Sequence, residues 1–177
     1  MIETIGTRLR EGMLGTTHDR TPLSGRDQFA LACECLTSQS RRRLAIFTFD
    51  LDPPPYDREP FAEALRRLAL EGRESRIQIL LQENLKVQQN GHRLLNLARR
   101  LPSRIEIRRP INDYIDFPEN FLIADTVGYV HRNRFPDYQG VMDFNNPLRA
   151  TRLQELFDHI WERSEQDIEL ELRQFSL

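Results

Sequence analysis

Two acids at the end of an apolar run are the first residues in this chain with types and spacing suited to chemistry. Residues 44–51 read LAIFTFDL, so Asp50 closes the run, and Asp52 follows just before Pro53-Pro54-Pro55. In an α/β sheet, ligands settle beyond the carboxyl ends of strands, which makes Asp50 and Asp52 site candidates. As an acid/base pair they would need their environments to push their pKa values apart. The same two acids serve equally well as a solvated loop start or as a cap on the next turn. His92 follows Asn90-Gly91 at the start of a helical pattern, where free backbone N–H groups bind anions. It is equally suited to capping that helix. His131 opens a polar, basic run, His131-Arg132-Asn133-Arg134, fitted either to a phosphate or acidic group or to a solvated strand end.

Other constellations lead to less. The histidines are His18, His92, His131 and His159, and no pair has the i, i+4 spacing of helical metal ligands. Cys33 and Cys35, two apart on a helical pattern, point in different directions, so a disulfide between them is not expected. A metal site there would need further soft ligands, and none is adjacent. Arg99, Arg100, Arg104, Arg108 and Arg109 are dense, but Glu106 interrupts them and strand alternation separates Arg108 from Arg109. No aromatic platform for stacking bases accompanies them. There is no Gly-rich phosphate loop, no Gly-x-Ser-x-Gly elbow and no Cys–His pair, so no cofactor is expected.

The elements that must position these residues follow from periodicity. Residues 1–24 have weak periodicity and read as an arm, with a short strand near 5–9. Residues 25–177 read as one domain, consistent with a chain of 177 residues. A helix over 25–40, a strand over 44–51, a helix over 59–72, a strand over 76–82, a helix over 90–101 and a strand over 104–109 give a repeated helix–strand rhythm. That rhythm predicts right-handed crossovers and an α/β fold: a mixed, largely parallel sheet flanked by helices. Residues 119–132, ENFLIADTVGYVHR, read as one hairpin turning near Asp125-Thr126. A strand over 139–144 and an amphipathic helix over 148–164 follow, opened by Asn145-Asn146-Pro147. The tail alternates Ile168, Leu170 and Leu172 with charged residues, as an edge or swapped strand would.

The stretch ENFLIADTVGYV, the DFNNP loop and the helix ending FDHIWERS together resemble one half of the phospholipase D superfamily fold. That family carries His-x-Lys-x-x-x-x-Asp on the first hairpin strand, with an Asn afterwards. Its His forms a phosphohistidine, while Lys and Asn hold the phosphate. Laid on this sequence, the His position falls on Pro118 and the Lys position on Asn120. The Asp position is kept as Asp125, and Asn145 or Asn146 stands for the later Asn. Without nucleophile and cation, covalent phosphoryl transfer has no first step. The resemblance therefore implies a degenerate half-site, similar to uncharacterised bacterial domains of this type, in which Asn120, Asp125 and Asn145 line an old cleft. Because active members pair two halves, it also implies a homodimer.

Composition bounds the rest. A formal net charge of −2 argues against a strongly nucleic-acid-binding surface. No secretory signal and no membrane-length apolar run is present, so a cytoplasmic protein without membrane contact is expected. The sequence reading is a non-catalytic binding module that takes a protein or a small phosphate-containing ligand. Its alternatives are an enzyme of different chemistry using Asp50, Asp52, His92 or His131, and a weak nucleic-acid binder.

Overall fold

Helix stripes at three- and four-residue spacing and short β-branched runs divide the chain into the elements of the computed structural model, which describes residues 4–167 and Leu170. In order they are α1 (Ile5–Glu11), β1 (Thr21–Ser24), α2 (Arg26–Gln39), β2 (Arg43–Thr48), α3 (Pro53–Tyr56), α4 (Glu59–Glu71), β3 (Arg76–Leu81), α5 (Leu85–Asn90), α6 (Arg93–Arg100) and β4 (Ile105–Arg109). A 3-10 turn, Asn112–Tyr114, leads to β5 (Asn120–Ala124), β6 (Gly128–Arg132), β7 (Gln139–Asp143), α7 (Pro147–Glu162) and β8 (Glu165–Gln166).

The strands form one mixed sheet in the order β1-β7-β6-β5-β2-β3-β4-β8. The parallel part is confined to β2, β3 and β4, joined by helical crossovers. The remaining pairings are antiparallel, because β5, β6 and β7 form a meander, β1 adds at one edge and β8 at the other. Both faces are covered. Leu44, Ile46, Leu122, Ala124 and Val130 face α2, α4 and α6, whereas Ala45, Phe47, Phe121, Ile123 and Tyr129 face α7. Alternate residues of each central strand thus enter different cores, which is why the central strands are apolar throughout.

Local chemistry sets the helix ends. In α4, Pro60 occupies the first turn and Phe61, Leu65, Leu68 and Ala69 form the buried stripe. Gly72 stops it where a Cβ would stand 2.7 Å from the Leu68 carbonyl and 2.8 Å from that of Arg41. In α7 the Asn146 side chain caps the Arg149 N–H, and Phe157 and Ile160 are fully buried.

Several expectations change. The proposed strand near 5–9 is the helix α1, capped by Thr4, with Ile5 and Leu9 on one side and Leu9 buried. The stretch expected as an arm ends in β1, paired along its length with β7. The helix expected over 90–101 is α6, which starts later, with His92 as its cap and not in its first turn; a separate helix, α5, precedes it and is closed by Gly91 at φ +72. The tail strand over 168–173 lies outside the described residues except for Leu170, which is buried and accepts from Arg99 Nη2 at 3.2 Å. Among the described residues no helix is long and apolar enough to cross a membrane.

Candidate functional site

At the carboxyl end of β2 the chain turns sharply. Thr48 Oγ1 accepts the Leu51 N–H at 3.1 Å, and Leu51 itself is left-handed, φ 53. A buried leucine in that region is strained by roughly 1–3 kcal/mol. The bend brings both Asp50 and Asp52 inward, leaving them 4% and 7% exposed.

Asp52 meets the end of β6. Arg132 Nη1 donates to Asp52 Oδ2 at 2.9 Å, and the Tyr138 hydroxyl donates to the same oxygen. The rest of the guanidinium is also committed: Nε donates to the Asp137 carbonyl at 2.7 Å and Nη2 to that of Pro136 at 2.8 Å. The Arg132 plane lies 4.0 Å from the Tyr138 ring centroid and 5.2 Å from that of Phe135. Phe29 of α2 backs Tyr138 edge-on. Burial, and then the Asp52 carboxylate that accepts its hydrogen bond, push the Tyr138 phenol well up, so it stays a donor. Gly140, cross-strand from Arg132, leaves the room for this closure: a Cβ there would stand 2.0 Å from the His131 carbonyl.

Asp50 takes Lys86 Nζ at 3.2 Å on one oxygen. The other oxygen, like Asp52 Oδ1, is buried without a hydrogen bond from a described residue. Burial, the largest influence, raises the Asp50 pKa, and Lys86 only partly opposes it. Between the unfolded and folded pKa values the folded protein therefore holds a proton that the unfolded chain has released. This contribution to stability is full below the unfolded value and is lost as pH rises through the folded one. Asp50→Asn should accordingly raise the urea midpoint at pH 7, with the gain fading toward pH 4. An unchanged or lower midpoint at pH 7 would mean that the Lys86 pair outweighs burial.

The remaining candidates divide. Asn120 joins this end of the sheet: it is the cross-strand partner of Arg132, and its Oδ1 accepts the Phe49 N–H at 3.3 Å. His92 is adjacent but spent, since Nδ1 accepts the Leu94 N–H at 3.0 Å and Nε2 donates to the Leu51 carbonyl at 2.9 Å. Burial lowers its pKa, so it stands as a neutral cap and not as an anion site. Asp125 lies at the other end of β5, about 17 Å away at some 3.4 Å per residue. There its carboxylate accepts the N–H groups of Arg41, Arg42 and Arg43. Asn145 is also at that far end. Its backbone binds Asp143 and His18, and the next residue, Asn146, hydrogen-bonds Val127 beside the hairpin turn. His131 faces α7, opposite to Arg132, with Nε2 3.2 Å from Glu119 Oε2. Burial pushes the thiols of Cys33 and Cys35 up to about 12 and about 11, which leaves neither as a thiolate at neutral pH.

The cleft thus gathers two carboxylates, Asp50 and Asp52, and two cations, Lys86 and Arg132, in balance. Lys86, Arg132 and Tyr138 are not singled out by sequence reasoning. Strand alternation from His131 does assign Arg132 to the opposite face, but nothing local marks Tyr138 or Lys86 as partners of acids 86 and 36 residues earlier. Among the described residues no group of three or more His, Cys, Asp or Glu side chains is placed to hold a metal ion.

The architecture is that of a phospholipase-D-like α/β protein. A crystal structure of a phospholipase D family member, Nuc from Salmonella typhimurium, superposes with a TM-score of 0.59 at 12% identity, covering 84% of this chain and 98% of that one. NucT from Helicobacter pylori gives 0.55 at 7% identity, covering 84% and 98%. TrmBL2, an archaeal chromatin protein with a novel mode of DNA binding, gives 0.61 at 16% identity, and the match spans 89% of this chain but only 57% of TrmBL2. At these identities the likeness is one of fold. No curated protein matches the chain. Residues 25–175 match the family model of a domain of unknown function, DUF7931, and the chain belongs to that family.

Proposed function

We propose that the chain is a non-catalytic binding module on a phospholipase-D-like fold. The observation that carries this reading is the state of Arg132. At this end of the sheet, where the resemblance requires a nucleophile and a free cation, Pro118 and Asn120 occupy the motif positions. The guanidinium beside Asn120 is consumed by Asp52 and two backbone carbonyls. A phosphoryl group arriving there would have to displace a buried, hydrogen-bonded ion pair, at a cost of several kcal/mol. Transition-state stabilisation needs donors that are already free and aimed.

The test is hydrolysis of bis-p-nitrophenyl phosphate, single-stranded DNA and a phospholipid by the parent protein, with Asp50→Asn and His131→Ala alongside. No turnover above blank is expected on any of the three substrates. Turnover by the parent that disappears in either folded variant would overturn the reading and locate a working catalytic group.

A further inference from the structure

On the α7 side of the sheet, beside β6 and β7, lies a pocket of about 400 Å³. Arg149 and Arg152 reach its lining from one face of α7, three residues apart. Arg20 reaches it from the segment before β1, and Tyr129 and His131 from alternate positions of β6. Leu148, 66% exposed, supplies an apolar wall.

The arginines here are not offset by the ion pairs that hold several others in the molecule. Arg8, Arg43, Arg66, Arg93 and Arg132 are each paired with a carboxylate. Among the described residues Arg20, Arg149 and Arg152 have no such ion pair, and no acid lines the pocket. The acids beside it are Glu119, whose Oε2 lies 3.2 Å from His131 Nε2, and Asp143, cross-strand from Tyr129. Asp143 is fully buried, accepts the N–H groups of Asp19 and Asn145, and lies 3.2 Å from His18 Nδ1. His131 is 5% exposed, and its Nε2, although near Glu119, makes no hydrogen bond. Burial, and then Asp143, raise the Tyr129 pKa, and Arg149 and Arg20 oppose this, so both cations lie within electrostatic reach of its phenol. Three arginine side chains lining one concave site together with a phenol and an imidazole suit the forked, multi-acceptor geometry of a phosphate.

We propose that this pocket binds the phosphate of a small phosphomonoester whose body is partly apolar, the phosphate held by Arg20, Arg149 and Arg152 and the body resting on Leu148. The proposal extends the binding-module reading by naming a ligand class, and it places the site outside the acid cluster at the end of β2.

The experiment is titration calorimetry of the full chain with phenylphosphonate, which cannot turn over as a phosphate ester, and with inorganic phosphate. Phenylphosphonate is expected to bind more tightly than phosphate, because of its ring, and both more weakly as salt rises. Arg149→Ala and Arg152→Ala should each weaken binding about tenfold, and Arg149→Lys less, since it keeps the charge and loses the fork. Arg66→Ala, remote on α4, should change nothing. Thermal unfolding of each variant confirms the fold. Absence of binding to the parent, or equal binding by the arginine variants, overturns the proposal. A single-stranded oligonucleotide that binds where phenylphosphonate does not would also overturn it, in favour of a nucleic acid. Hydrolysis in the earlier assay would sink the non-catalytic reading without touching this pocket, and loss of phenylphosphonate binding would do the reverse.

Discussion

Arg132→Ala lowers the stability of the fold by about 3–5 kcal/mol, the usual cost of removing one member of a buried, hydrogen-bonded pair. The side chains of Arg132 and Asp52 are 5% and 10% exposed. Truncating the arginine leaves Asp52 with only the Tyr138 hydroxyl, one carboxylate oxygen already being without a partner. It also strips two backbone carbonyls, at Pro136 and Asp137, of their donor and removes the plate between Phe135 and Tyr138. The size of the effect comes from the orphaned charge more than from the lost contact, and this gives the prediction a second arm. In the double variant Arg132→Met with Asp52→Asn the charge is gone, the Asn oxygen still accepts from Tyr138, and most of the loss returns. Urea unfolding of the two single variants and the double variant yields the coupling. A single-variant cost under about 1 kcal/mol would show that the pair is solvated, and the case for a closed cleft would fail with it.

How far such a pair can be read in advance depends on the separation of its members. The α4 stripe Phe61, Leu65, Leu68 is legible because its residues are three and four apart and their helix is long enough to show the period. The hairpin at Asp125-Thr126 is legible because the turn lies between two β-rich runs. Strand direction is not legible beyond the crossovers: nothing local says that β5 inserts beside β2, antiparallel to it, and not beside β4. Residues 5–9 are too few to distinguish a period of two from one of 3.6, and the Thr4 cap decides for helix. At the site the same limit applies. Asp50 and Asp52 stand out because they end an apolar strand, yet their partners arrive from α5, β6 and the loop after it. Asp125 fits the motif by sequence spacing and Asn145 stands for its later Asn at a longer spacing, but the five residues of β5 carry Asp125 to the opposite end of the sheet from Asn120. Arg20, Arg149 and Arg152 are unremarkable in a sequence with many arginines. Only the fold, which brings all three to the lining of one pocket, sets them apart.

Asp125→Ala costs about 3 kcal/mol, although Asp125 touches none of the cleft residues. Its Oδ1 accepts the N–H groups of Arg42 and Arg43, each at 2.9 Å, its Oδ2 accepts that of Arg41 at 3.0 Å, and its own N–H donates to the Arg43 carbonyl at 2.8 Å. One carboxylate therefore ties the hairpin turn to the start of β2, the central strand on which the parallel and antiparallel halves of the sheet meet. Hydrogen bonds to a charged group are worth about 1.5–3 kcal/mol each, and these are partly exposed, so the released N–H groups recover some of that from water. The backbone adds its own share. Asp125 and Thr126 have φ of 51 and 55, a turn with both central residues left-handed, where alanine is disfavoured by roughly 1–2 kcal/mol and Asp or Asn far less. Asp125→Asn keeps the backbone preference and one acceptor, and should cost about 1 kcal/mol. Asp125→Gly restores the backbone alone and should fall between the two. Thermal unfolding ranks the three, and amide exchange at Arg41, Arg42 and Arg43 should quicken in the same order. An alanine variant within about 0.5 kcal/mol of the parent would mean that water replaces the carboxylate fully. Phenylphosphonate binding should be unchanged in Asp125→Asn, because the acid that completes the motif in sequence acts here as a brace between two strands.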